Sequence, residues 1–236
     1  MIPIYNAIRF SVILMFINFQ GLGNRCKGTM RGYIVPLHFF TAEGEESMDC
    51  YYDLRVCGLK RKLPFVDMAD GTAYASFVVI SDTELIEKAG EALAQKANGA
   101  DIVLTIEAKG IALAYEIARQ LHMKEFVVVR KSVKPYVKAY LKDSVHSITT
   151  EGEQQIFLDE ADADRLKGKR VAIVDDVISK GESLAAAERL VVAAGGEICA
   201  KLAILAEGSA AEREDITYLE KLPLFRKGGA GYEILA

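Results

Sequence analysis

The chain has 236 residues, 51% of them hydrophobic, and a formal net charge of −4. That is enough apolar material for one good core, and the acidic balance argues against a general nucleic-acid binder, which needs a basic face. Four cysteines (Cys26, Cys50, Cys57, Cys199) without a C-x-x-C pair, and three scattered histidines (His38, His122, His146), give no zinc-site spacing. Free thiols in a reducing cytoplasm are expected.

Residues 1–47 differ in kind from the rest. Arg9, Arg25, Lys27 and Arg31 all precede the first acid, Glu43. The apolar run from Ser11 to Ile17 is too short for a membrane span, and no small-x-small cleavage site follows it cleanly. The expectation is an N-terminal extension, disordered or the product of a misassigned start, with the domain proper over residues 48–236.

Residues 48–76 give short strand-like and turn pieces (Tyr51-Tyr52, Val56-Cys57, Leu63 to Val66, Asp70-Gly71), too broken for a main-sheet element. Phe77 to Ile80 leads into Ser81-Asp82-Thr83-Glu84, a capping-box signature, and a helix through Leu85, Ile86, Ala89 and Leu93 stops at Asn98-Gly99. Ile102 to Ile106 reads as a buried strand, Ile111 to Leu121 as a helix and Phe126 to Val129 as the next strand. From Lys131 to about Gly152 no long apolar run occurs, while Lys131, Lys134, Lys138 and Lys142 recur; a lid over a site is expected there, with a solvated hairpin as the alternative.

The most informative stretch is Arg170 to Ser183. Val171 to Val174 is a fully buried strand that ends in Asp175-Asp176, and Ser179-Lys180-Gly181-Glu182-Ser183 opens a helix through Leu184, Ala187, Leu190 and Val191, stopped by Gly195-Gly196. The first N–H groups of a helix lack intrahelical partners and the dipole favours an anion beside them, so this segment offers a phosphate cradle one loop away from two carboxylates. No G-x-x-x-x-G-K-[ST] string is present, which excludes a Walker-type ATPase, and the acidic pair comes too late in the chain for a receiver domain. Ile198 to Leu205 gives the last long strand. Strands alternating with helices of about a dozen residues imply βαβ units and a parallel sheet, with ligands at the carboxyl ends of the strands.

Four apolar residues, two acids, two apolar residues and a hydroxyl- and glycine-rich loop resemble the phosphoribosyl-diphosphate motif of the type I phosphoribosyltransferases. The loop departs from the family's usual Thr-Thr-Gly-Gly-Thr at Lys180 and Glu182. Glu107-Ala108-Lys109-Gly110 resembles the diphosphate turn of the adenine-type enzymes, with Lys in place of Arg. Arg130-Lys131-Ser132-Val133-Lys134 is similar to their Arg-Lys-x-x-Lys. Ser147 to Gly152 resembles the tail of their flexible loop, with Glu151 the candidate acid.

The resemblance, from Met48 to about Phe225, implies an α/β fold: a parallel sheet flanked by helices, with a small hood and a flexible lid loop. It implies transfer of ribose 5-phosphate from phosphoribosyl diphosphate to a purine base, adenine favoured, with release of diphosphate. Asp175 and Asp176 would hold the ribose hydroxyls, and Ser179, Lys180, Gly181, Glu182 and Ser183 the 5-phosphate. Ala108, Lys109, Gly110, Arg130, Lys131 and Lys134 would meet the diphosphate. Mg²⁺ would be carried mainly by substrate oxygens, and a cytoplasmic homodimer is expected, with neither nucleic acid nor membrane as partner. Tyr218 to Phe225 looks like the closing segment that helps cover the base, with Phe225 as a stacking platform or as core. The alternatives are a phosphoribosyl-diphosphate-sensing regulator of the same fold, or a relative with a dead site.

Removal of residues 1–47 is expected to leave folding and activity intact, because nothing in that stretch matches the periodic elements of the sheet. Thermal unfolding of the full and shortened chains checks this, and a drop of many degrees on truncation would count against it.

Overall fold

A computed structural model describes residues 51–236 apart from 98, 134, 136, 147–152, 229–230 and 236. The expectations placed on residues 1–47, Lys134 and Glu151 therefore lie outside the described residues.

The broken stretch after Met48 forms three strands, β1 (Tyr51–Val56), β2 (Leu59–Asp67) and β3 (Thr72–Ala75), joined antiparallel. They belong to a second sheet rather than to the main one, which is why their pattern reads as short and half-exposed. Helix α1 (Thr83–Ala94) follows. Its N-cap is Asp82, not Ser81: the Asp82 carboxylate accepts the Leu85 N–H at 3.1 Å and a fork from Arg61 of β2, while Glu84 turns to Arg61 at 2.8 Å instead of back to the cap. A tertiary guanidinium has captured both acids of the expected capping box.

Next come β4 (Ile102–Ile106), α2 (Ile111–Gln120) and β5 (Val127–Val129). The lysine-bearing stretch expected as a lid is in part ordered pairing. Strand β6 (Tyr140–His146) and strand β7 (Glu153–Asp159) form an antiparallel hairpin, and Arg189 ties it to the body through Asp143 at 2.6 Å. Helix α3 (Glu160–Leu166) is capped by the Asp159 carboxylate. Strand β8 (Arg170–Ile178), helix α4 (Glu182–Ala193), strand β9 (Glu197–Glu207), a 3-10 turn over Gly208–Glu212 and strands β10 (Thr217–Leu222), β11 (Leu224–Gly228) and β12 (Gly231–Ile234) complete the chain.

Five strands make the main sheet in the order β10-β9-β8-β4-β5, all parallel. The order reverses between β4 and β8, where consecutive strands lead to opposite sides of the sheet, and such a switch point opens a crevice at the carboxyl edge. All five residues of β4 are buried, as expected for a strand covered on both faces. The apolar stripe of α4 (Leu184, Ala187, Leu190, Val191) packs on one face with Ile156 and Leu158 of the hairpin. On the other face α1, α2 and the second sheet, ordered β1-β2-β3-β11-β12, share a core that includes Leu54, Leu85, Leu113, Leu202 and Phe225. None of the described helices is long and apolar enough to cross a membrane.

The closing segment corrects one expectation. Tyr218 to Leu222 is not a cover over the site but the edge strand β10, paired with β9. Phe225 is 2% exposed, with its ring 5.2 Å from Tyr52 and edge-on to Phe65 at 4.8 Å. It is core, because β11 pairs with β3 and turns that ring into the second sheet. Phe225→Ala is accordingly expected to cost about 3–5 kcal/mol of stability, read as a lower urea midpoint at an unchanged slope.

Candidate active site

The site is built on the carboxyl edge of β4, β8 and β9. Strand β8 does not stop at its acids but runs on through Val177 and Ile178, so Asp175 and Asp176 are held in the sheet rather than on a loop. Asp176 is 5% exposed. The Asp175 Oδ1 atom accepts the Asp176 backbone N–H at 2.9 Å, whereas Asp176 Oδ2 is enclosed without a hydrogen-bond partner. Its nearest cation is Lys109, whose Nζ stands 3.8 Å away on a side chain that is 56% exposed. Burial and then the Asp176 charge push the Asp175 carboxyl well above the usual carboxylate range. Burial also raises Asp176, with Lys109 opposing it. Two acids that resist sharing full charge, one with a free oxygen, suit a ligand that brings hydroxyl donors or a cationic centre.

Behind the acids, Ser179 and Lys180 are exposed and Gly181 is the N-cap of α4 at φ +79°, a conformation that suits glycine. No side chain caps this helix, so its first N–H groups are open to an anion. Glu182 and Ser183 lie inside the first helical turn, where a carboxylate suits the dipole. A guanidinium stands against this turn: Arg213 occupies the space a side chain at position 181 would need. It is locked by Asp215 (2.8 and 2.7 Å), which also takes Lys201 at 2.8 Å, and Lys201 reaches Glu188 of α4 at 2.9 Å. Arg213 and then Lys201 hold the Asp215 carboxyl far below the ordinary range.

On the other side, the turn Glu107 to Gly110, with a cis Glu107–Ala108 peptide, leads into α2. Gly110 is required by close approach, since a Cβ there would overlap Thr105 Oγ1 and lie 3.5 Å from the Asp175 Cα. Glu107 fastens the end of β5: its carboxylate accepts the Lys131 N–H at 3.0 Å and faces Arg130 at 3.7 Å. Lys109, Arg130 and Lys131 are thus brought to one edge with the acids. Among the described residues no three His, Cys, Asp or Glu side chains converge to hold a metal ion by themselves.

The sequence pattern of the phosphoribosyl transferase domain family matches residues 79–234, about two thirds of the chain. The chain belongs to this family. An adenine phosphoribosyltransferase from Mycobacteroides abscessus is 36% identical over 122 residues, 51% of this chain and 65% of that protein. One from Thermotoga is 36% identical over 135 residues, 57% of this chain and 68% of that protein. Among solved structures, an adenine phosphoribosyltransferase from Thermoanaerobacter pseudethanolicus has the same fold, with a TM-score of 0.55 at 24% identity over 67% of this chain and 95% of that one.

The family motif thus sits where the fold was expected to put it. Two neighbours carry no motif and escaped the sequence. Arg213 reaches Gly181 from 32 residues downstream, through a turn with no periodic pattern. Glu207 ends β9 at the same edge, its carboxyl pushed up by burial and drawn back by Lys109. An acid closing an apolar strand was the available signal for Glu207.

The raised acids have a consequence for stability. A carboxyl raised above its unfolded value stabilises the fold only while protonated, and that stability is lost as pH rises through the folded value. Asp175→Asn is therefore expected to unfold at a higher temperature than the wild type at pH 7–8, with the gap closing below about pH 4, where the acid is neutral in both states. Calorimetric scans across that range check it; a variant less stable at neutral pH would count against the enclosed-acid account.

Proposed function

We propose that the protein transfers ribose 5-phosphate from phosphoribosyl diphosphate to a purine base, adenine being favoured, with release of diphosphate, as in purine salvage. The observation that carries the proposal is the placing of the Asp175-Asp176 pair between an open helix N-terminus and the Lys109 turn on one sheet edge. The span fits a molecule with a phosphate at one end, a diphosphate at the other and hydroxyls between. The preference for adenine is supported by the names of the relatives that are 36% identical.

In this scheme the N–H groups of residues 181–183 hold the 5-phosphate, with Arg213 behind them. The enclosed Asp176 Oδ2 and the Asp175 carboxylate accept from the ribose hydroxyls. As the bond to diphosphate loosens, positive charge develops at the anomeric carbon and the two acids stabilise it. Lys109, Arg130 and Lys131 receive the departing diphosphate. Mg²⁺ fits this site as a substrate-borne ion, because it keeps several waters and binds readily to phosphates, and no all-protein cage is needed. When bound it would neutralise diphosphate charge.

Steady-state assays with phosphoribosyl diphosphate, Mg²⁺ and each purine in turn test the proposal, alongside calorimetry of phosphoribosyl diphosphate binding. Asp175→Asn and Asp176→Asn keep shape but remove charge, and at least one is expected to lower turnover by about 10²–10³-fold. Binding should weaken less, since the backbone grip on the 5-phosphate survives. Wild-type protein that binds phosphoribosyl diphosphate but turns over no purine would replace the enzyme with a sensor. Wild-type protein that binds neither substrate would mark a dead site.

A further inference from the structure

Among the described residues, two enclosed side-chain oxygens lack a hydrogen-bond partner, Asp176 Oδ2 and Thr105 Oγ1. The first is already assigned to the ribose hydroxyls in the proposed scheme. The second belongs to no motif. Thr105 is fully buried in β4, where its neighbours Leu104 and Ile106 are apolar and a valine of the same shape would fill the space without a stranded hydroxyl. A dry, unpaired hydroxyl is unfavourable in this state, and such a group in a folded protein calls for a physical reason.

Its surroundings supply one. Thr105 pairs in register with Val174, the residue before Asp175. A Cβ built on Gly110 would overlap Thr105 Oγ1 and lie 3.5 Å from Asp175 Oδ1, so both oxygens face one point at the start of α2. The turn that both oxygens lie against is the one expected to receive diphosphate.

We infer that Thr105 is a positioning residue: in the substrate complex its hydroxyl donates to the Asp175 carboxylate and aims that group at the ribose. This role presupposes the phosphoribosyl transfer proposed above. The charged groups that face Asp175 are Asp176 on its own strand and Lys109 on the turn before α2. At the end of β9, Glu207 faces Lys109 in turn. Other nearby charges are engaged elsewhere: Glu188 of α4 with Lys201 of β9, and Arg189 with Asp143. Glu182 opens α4, and β4 carries no titratable residue, leaving Thr105 as the donor it can offer.

Thr105→Val and Thr105→Ser separate hydroxyl from shape. Valine is expected to lower kcat by about 10-fold, the scale of one hydrogen bond to a charged group. It should also move the acid limb of kcat to higher pH, because burial already disfavours the Asp175 charge and the lost donor disfavours it further. Its thermal midpoint should be no lower than that of the wild type, since the stranded hydroxyl is gone. Serine should restore both rate and acid limb. An active wild type whose valine variant keeps its rate and pH profile would overturn the role of Thr105 alone, as would a folded serine variant as slow as valine. A wild type that turns over no purine would overturn the transfer itself, and the role of Thr105 with it. If valine does not fold, Thr105→Ala makes the same comparison, and wild-type turnover in that variant would overturn the inference.

Discussion

Two carboxyls on consecutive residues inside a buried strand repel each other and lose hydration together. Asp175 and Asp176 are held so because β8 lies between β4 and β9 and continues past them, with Asp176 buried and Asp175 half-buried. Among the described residues the cation opposite Asp176 is Lys109, 3.8 Å away and mostly exposed, too far to hydrogen-bond. The free protein therefore keeps an unsettled electrostatic pair at the edge where the sheet order reverses. A ligand with hydroxyls or developing positive charge relieves it, and strand pairing supplies the energy that maintains it.

The flanks of that pair are arranged around it by different means. On the α4 side the uncapped N–H groups follow Gly181, and beside them runs an ion-pair chain from Glu188 through Lys201 and Asp215 to Arg213. Glu182 sets a carboxylate on the first turn of α4, and Arg213, distant in sequence and held by Asp215, stands a guanidinium against Gly181. On the α2 side the turn is fastened through Glu107 to the end of β5. Each flank is thus tied to a neighbouring strand, which limits how far either can drift from the acids.

The second sheet shows how chain ends are used. Strands β1 to β3 and strands β11 and β12, from opposite ends of the described chain, meet in one antiparallel sheet whose aromatic residues Tyr52, Phe65, Phe225 and Tyr232 pack together. Phe65 and Tyr232 stack at 4.0 Å. This sheet shares a core with α1 and α2, so residues 51–78, which precede the family pattern, are bound into that core through burial.

Local pattern determined much of this protein. The buried runs Ile102 to Ile106 and Val171 to Val174, the stripes of α2 and α4, and the acid pair followed by a glycine-bearing loop were legible because period, punctuation and residue type all agree within a dozen residues. The motif carried the family as well, since hydroxyl recognition and anion binding demand particular groups at short spacing. Tertiary structure alone decided what depends on partners far along the chain. Asp82 displaced Ser81 as the cap because Arg61 lies across from it. The run Tyr140 to His146 became a strand because β7 pairs with it. Phe225 went to core rather than to the site because β3 claims its strand. Arg213 and Thr105 joined the site because folding brings a downstream turn and a buried strand against two glycines. Such placements come from long-range pairing and burial, which no local pattern encodes.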